Sequence, residues 1–436
     1  MNDHTRWQRS AQRRSGPLAA IGLWLASSSV CGAQEAFDAP GFHVNGSFRT
    51  RYESKQNFDF NGGEQGYLLT RLRLDFGYRG SDRSKVFVQL QDARVFGESL
   101  TGVPPVNDSA VPNVYADHLD IHQAYLEHDF GTAALRVGRQ KFDLGDQRLA
   151  GSPNWINTAR AYDGVSLVLG NPGARQIELF ASAPVAVDAN QLNDQSDVGD
   201  RYFDSDFHGV FVTETGVSPG QLEYWYFYRG NGDVSDSVNT LGVRLVRRRQ
   251  PWRLDLQGAY QFGDFAGLDH SAYMIHAGVE WESASGRWGV AYNVASGDED
   301  PNDGNHGTFD NLYPRNHRYY GFMDLFSLQN IHNLELTYAR PLFERMDLRL
   351  DWQSFWLNEE DTDAWYNVGL RPVRRAVSDV DSYVGSELDV TVAIPLAAEG
   401  LTLLAGVSRF FGGRYLRDTG PAGDASFFFL QLSYTP

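Results

Sequence analysis

The stretch Leu68-Leu69-Thr70-Arg71-Leu72-Arg73-Leu74-Asp75-Phe76-Gly77-Tyr78-Arg79 sets apolar side chains at every second position and charged ones between them. Successive side chains of a strand point to opposite faces, so this segment has one apolar face and one ionised face. Similar strings recur from about Val44 to Tyr434, near 43–54, 67–80, 85–96, 118–129, 133–142, 162–170, 175–183, 207–214 and 221–229 in the first half. In the second half they fall near 239–248, 252–263, 272–283, 286–296, 331–340, 346–357, 382–394, 401–411 and 425–434. A soluble sandwich would bury the apolar face, whereas a transmembrane barrel turns it to lipid and the charged face to an aqueous lumen.

The connections decide between the two. Counted from the N-terminus, the even-numbered ones are short, as in Gly80-Ser81-Asp82-Arg83, Gly131-Thr132, Asn171 to Ala174, Gln250-Pro251 and Ser283 to Gly286. The odd-numbered ones are mostly long: 97–117, 143–161, 184–206, 297–330, 358–381 and 412–424. Short turns on one rim and long loops on the other describe an all-β, antiparallel outer-membrane barrel of about eighteen strands, with the long loops outside the cell. A sandwich gives no reason for that alternation.

The first residues agree. Arg6, Arg9, Arg13 and Arg14 precede the apolar stretch Pro17 to Val30 and the small-residue site Cys31-Gly32-Ala33. Residues 1–33 therefore read as a removed secretory signal, too short in its apolar part to span a bilayer. Residues 34–41 read as a flexible end, and 42–436 as the barrel, with no further domain. The single cysteine lies in the leader, which leaves the mature chain without disulfides. Removal of the leader, with its four arginines and one aspartate, moves the net charge from −17 to −20. Such acidity argues against a nucleic-acid partner.

A set of motifs carries a family likeness. Leu135-Arg136-Val137-Gly138-Arg139-Gln140 leads into Leu144-Gly145-Asp146-Gln147-Arg148, then Trp155 and Tyr162-Asp163-Gly164-Val165. Later come Ala295-Ser296-Gly297-Asp298, Phe309 to Pro314, Asn316-His317, Tyr320 to Asp324, and Val384-Gly385-Ser386-Glu387-Leu388-Asp389. Together these resemble the alginate-export family of outer-membrane barrels over essentially the whole mature chain. The resemblance implies an eighteen-stranded barrel with an arginine-rich constriction that passes an anionic polysaccharide. This chain departs from the family's pattern in the short connection Pro395 to Gly400, where a long periplasmic turn plugs the family's exporter, and in its Tyr434-Thr435-Pro436 ending.

Alternation gives each strand arginine a face. With Phe48, Thr50 and Tyr52 toward lipid, Arg49 and Arg51 point into the lumen, and so do Arg71 and Arg73, Arg253, and Arg349. Arginine on the lipid face costs about 2–4 kcal/mol near the midplane, which drives these side chains inward. A planar guanidinium holds a carboxylate with two parallel bonds, so a ring of them favours an anionic substrate. The spacing Arg-x-Asp, in Arg73/Asp75, Arg253/Asp255 and Arg349/Asp351, supports a second reading, ion pairs that stiffen the wall. Arg139 and Arg148, with Arg409 and Arg414 expected across the lumen, complete the candidate set, and Glu387 and Asp389 are expected to weaken binding enough for release.

Asp298, Asp300 and Asn302 suggest calcium in an outer loop, although the EF-hand spacing is absent, because position twelve from Asp298 is Phe309. The alternative is a hydrated acidic loop. No other cofactor is expected. No nucleophile elbow or phosphate-cradling loop is present, so the sequence reads as no enzyme. The expected function is passive conduction of an anionic polysaccharide or oligosaccharide. The expected partners are outer-membrane lipid and lipopolysaccharide, with periplasmic secretion proteins. The alternatives are a porin for small carboxylates or sugars, a surface receptor, and a membrane hydrolase.

Overall fold

The structure, a computed structural model, describes residues 40–97, 112–194, 200–217, 220–343, 345–375 and 377–436. The expected leader and most of the segment 34–41 lie outside the described residues, as do parts of the loops 97–117 and 184–206. Eighteen long strands follow one another in chain order. They are β1 (Gly41–Gln56), β2 (Glu64–Arg79), β3 (Ser84–Gly97), β4 (Asp117–Asp129), β5 (Ala133–Gln140) and β6 (Tyr162–Gly170). Then come β7 (Arg175–Pro184), β8 (Asp206–Val217), β9 (Gly220–Asn231), β10 (Asp236–Arg249), β11 (Trp252–Phe265) and β12 (Leu268–Ser283). The last six are β13 (Gly286–Ala295), β14 (Ile331–Leu342), β15 (Met346–Trp356), β16 (Tyr383–Pro395), β17 (Leu401–Gly412) and β18 (Ala425–Tyr434).

Each strand pairs antiparallel with the next, and β1 closes on β18 from Phe48↔Tyr434 to Gln56↔Ser426. In lipid every backbone polar group needs an internal partner, and closure leaves no edge strand. Outside the ring, the pair Asn305–His306 adds to the end of β12, Trp365–Tyr366 pairs with Pro372–Arg374, and the helix α1 (Arg414–Thr419) lies between β17 and β18. Among the described residues no helix is long and apolar enough to cross a membrane.

The outward face follows the alternation. Leu72, Leu74, Val243, Ile275, Val290, Leu336 and Val407 are exposed apolar residues on neighbouring strands, as a lipid-facing band requires. At the short-turn end, register aligns Trp252, Trp281, Trp288 and Tyr338 across β11 to β14, an interfacial aromatic belt.

The inward face is less uniform than alternation predicts. Phe180, Phe207, Phe211, Trp225 and Phe227 of β7 to β9 point inward, where they form an apolar wall with Phe142, Tyr162 and Tyr313. The reason lies in the loops. The connections 141–161 and 296–330 fold into the bore rather than away from it, and their apolar side chains need an apolar surface to pack on.

The outward assignment is testable. Val290→Arg should destabilise the barrel by about 2–4 kcal/mol in urea-dependent folding into lipid vesicles. Native stability in that variant would reject the assignment.

Candidate functional site

Arg49 and Arg51 of β1 and Arg71 and Arg73 of β2 are all buried and share the inward face. Register sets Arg49 directly opposite Arg71. Like charges directly opposite across strands destabilise a sheet, so this pair carries a cost. Among the described residues neither guanidinium makes an ion pair. Their partners are carbonyls of the inserted loop instead. The Asn154 carbonyl accepts from Arg49 Nη1 at 2.7 Å and from Arg71 Nη1 at 3.2 Å. Asn157 Oδ1 accepts from Arg49 Nη2 at 2.9 Å, and Asn154 Oδ1 from Arg73 Nη1 at 3.1 Å.

Arg51 is held differently. It pairs with Glu53 at 2.6 Å, donates to the Trp155 carbonyl at 2.9 Å, and lies 3.7 Å from the Trp155 ring centre. The segment Asn154–Asn157 thus straps the basic wall. Asn157 Nδ2 fixes the strap in turn, donating to the carbonyls of Thr70, Arg94 and Tyr115.

The second loop leans on the first. Trp155 stacks on His317 at 4.0 Å, and His317 Nδ1 lies 2.9 Å from Asp324. Arg148 sits in the loop 141–161 and reaches Asp146 at 3.2 Å, Asn293 Oδ1 at 3.1 Å and Tyr320 Oη at 2.8 Å. Arg229 of β9, fully buried, pairs with Asp236 and with Asp310 of the second loop, both at 2.8 Å. Gln261 bonds both the backbone N–H and the carbonyl of Asp310, at 2.7 Å each.

The rest of the inward wall is divided by charge. On β9 to β11, Arg244 pairs with Glu223 at 3.0 Å and Asp255 at 2.7 Å, while Arg253 pairs with Asp255 at 2.7 Å and Glu280 at 3.1 Å. On β14 to β16, Arg349 pairs with Asp351 at 2.6 Å and lies 3.5 Å from Glu335, and the buried Glu387 and Asp389 add two more acids. The backbone N–H of Met323, in the second loop, donates to Glu387 Oε1 at 2.9 Å. The wall therefore carries a basic sector on β1 and β2, a mixed one on β9 to β11, and an acidic one on β14 to β16.

Three expected lumen residues lie elsewhere. Arg139 shares the strand face of the half-exposed Val137, and clamps Asp163 at 2.8 and 2.9 Å. It fills the seam where β4 runs on beyond its last pair with β5, capped by the carbonyls of Ile121 and Asn193. Arg409 alternates with the inward Ser408 and Phe410, so it points outward with Val407 and Phe411, paired with Asp424 at 3.0 Å. Arg414 opens helix α1 with its side chain exposed, 3.6 Å from Asp381.

Asp298, Asp300 and Asn302 are not gathered as ligands. Asp300 Oδ1 turns back on the N–H of Asn302 at 3.0 Å, and the described residues hold no metal-sized group of histidine, cysteine and acids. Arg244 was legible in the sequence, since it stands between the outward Val243 and Leu245. The Asn154–Asn157 strap was not, because carbonyl acceptors leave no mark in residue type.

The loop anchors set a pH range. Burial pushes the Asp310 carboxyl up, but Arg229 outweighs it and the net shift is below the usual range. Asp146 behaves likewise under Arg148 and Arg244. A depressed folded value gives stability that is present above the unfolded carboxylate pKa of about 4 and is lost as pH falls through the folded one. Residues 141–161 and 296–330 should keep the same protection from added protease from about pH 8 down to about pH 4.5, and loop release near pH 6 would contradict these anchors. Asp310→Asn should cost about 2–3 kcal/mol in urea unfolding, because it strips one charged partner from a buried arginine.

The family model for alginate export matches residues 42–428. No curated protein matches the chain. Among solved structures it is similar to Pseudomonas aeruginosa OpdO, with a TM-score of 0.61 and 12% identity, covering 91% of this chain and 97% of that one. Acinetobacter baumannii OccAB4 gives a TM-score of 0.62 at 11% identity, covering 92% and 99%. Pseudomonas aeruginosa OccK5 (OpdH) gives 0.61 at 11%, covering 91% and 98%. These identities speak for the fold alone. The family match spans nearly the whole barrel, and the chain is an outer-membrane channel that belongs to the alginate export family.

Proposed function

We propose that this channel passes an anionic polysaccharide or oligosaccharide by diffusion, attracted by the positive potential of the basic sector of β1 and β2. One observation carries the reading. Arg49 and Arg71 face each other in register, and among the described residues they hydrogen-bond to carbonyl and amide oxygens and to no carboxylate. A structural ion-pair ladder would place a carboxylate there, as it does at Arg244 and Arg349. Guanidinium groups held without a counter-charge leave a positive potential in the bore, which favours a substrate that brings negative charge, as a polyuronate does.

The acidic sector of Glu335, Asp351, Glu387 and Asp389 suits release, since a conducting site must bind weakly enough to let go. Family and fold favour conduction without catalysis. A passive pore sets no direction, so the gradient across the membrane decides it.

A second reading has its own support. Two inserted loops joined at Trp155 and His317 narrow the bore, which favours small carboxylates over a polymer. Planar-bilayer recording separates the two. The polysaccharide reading expects anion preference and current block by polyuronate, with the blocking concentration raised about tenfold or more in R49Q/R71Q, as two positive charges leave the wall. Anion preference with block by monouronate and none by the polymer supports the small-carboxylate porin. Cation preference would overturn both.

A further inference from the structure

We propose that the short-turn rim of β10 and β11 binds the headgroup of an anionic phospholipid through Arg247 and Arg249. The run Arg247-Arg248-Arg249 ends β10 and is exposed throughout. Among the described residues none of the three side chains makes a hydrogen bond or ion pair. Every arginine of the inserted-loop anchors has a partner, so these three stand apart in a chain of net charge −17.

Alternation separates them by face. Leu241 and Val243 are exposed to the lipid side and Arg244 and Val246 are buried inward, which turns Arg247 and Arg249 outward and Arg248 inward.

Register fixes their depth. Arg249 is paired with Trp252, which is 54% exposed, and the row continues through Trp281 to Trp288 and Tyr338. Tryptophan and tyrosine settle where apolar chains meet headgroups, so this row marks the interface. Arg247 lies two residues further into the apolar side, in the row of Leu254, Val279 and Val290. Two residues of strand are about 7 Å, within reach of an arginine that extends back to the interface.

Its other neighbour in register is Gly220, which carries no side chain to pair with it. The nearby acid Glu282 alternates with the outward Trp281, and its Oε2 accepts from Gln250 Nε2 at 3.0 Å.

Two unpaired guanidinium groups at headgroup depth, beside an indole, match a phosphodiester that carries no compensating amine. The short turns face the periplasm in barrels of this type, which assigns the site to the inner leaflet. The proposal concerns a surface outside the bore and stands independently of the conducted substrate.

The test is native mass spectrometry of the full mature barrel in detergent with equal amounts of phosphatidylglycerol and phosphatidylcholine. Wild type should retain phosphatidylglycerol with about tenfold preference or more, R247Q/R249Q should lose it, and R247K/R249K should keep part of it. R248Q, on the lumen side, should bind as wild type. Heat-modified gel mobility checks that each variant is folded. A preference that survives R247Q/R249Q, or one lost equally in R248Q, overturns the proposal.

Discussion

The hydrogen-bonded seam between the first and last strands is the constraint on which the other features depend. Once Phe48 to Gln56 has paired with Tyr434 to Ser426, no strand presents free amides to lipid. The ring then has two surfaces of opposite character. Its outer surface must be apolar over the hydrocarbon depth, and every charge carried on a strand at that depth is driven inward. That requirement alone concentrates arginines and carboxylates in a narrow space. They must find partners there, because the interior of the ring is only partly wet.

Those partners come from two sources, and the difference divides the wall. On β9 to β11, arginines and acids on neighbouring strands satisfy each other and the wall neutralises itself, whereas on β14 to β16 Arg349 pairs with Asp351 and the buried Glu387 and Asp389 leave an excess of acid. On β1 and β2 the inward positions hold more guanidinium groups than acids, and the loop 141–161 supplies oxygens by folding inward. Backbone carbonyls satisfy donors without cancelling charge, so the strap leaves the sector both ordered and positive. The strap is held by Asn157 on the wall side and by Trp155 against His317 on the other. The aromatic patch on β7 to β9 follows from the same insertion, because loops that enter a bore bring apolar side chains that need a dry surface.

The three arginines expected in the lumen and found elsewhere rest on the family likeness and not on alternation. Alternation is a rule for the regular middle of a strand, and Arg139, Arg409 and Arg414 all stand near the outer rim. At Arg139 the partner strand diverges, and a side chain of outward parity is drawn into the seam by Asp163 and Asn193. Arg409 follows the parity of Val407, which is exposed, and faces outward. Arg414 lies beyond the strand altogether. The inward side chains of strand interiors, from Arg49 to Asp389, obeyed the rule because a one-residue slip would have put charge into lipid.

The sequence by itself determined the closed barrel, the count and order of its strands, the two unlike rims and the face of nearly every mid-strand charge. All of these follow from a period of two and from loop length, which are local properties of the chain. Only the tertiary structure decided that two long loops turn into the bore, that Asn154 and Asn157 cap Arg49 and Arg71, and that basic and acidic sectors stand apart. Those arrangements join residues about a hundred positions apart through backbone carbonyls and ring faces, as in Arg49 with Asn154. Every residue has a carbonyl, so no pattern of side-chain types reveals which one a buried guanidinium will meet.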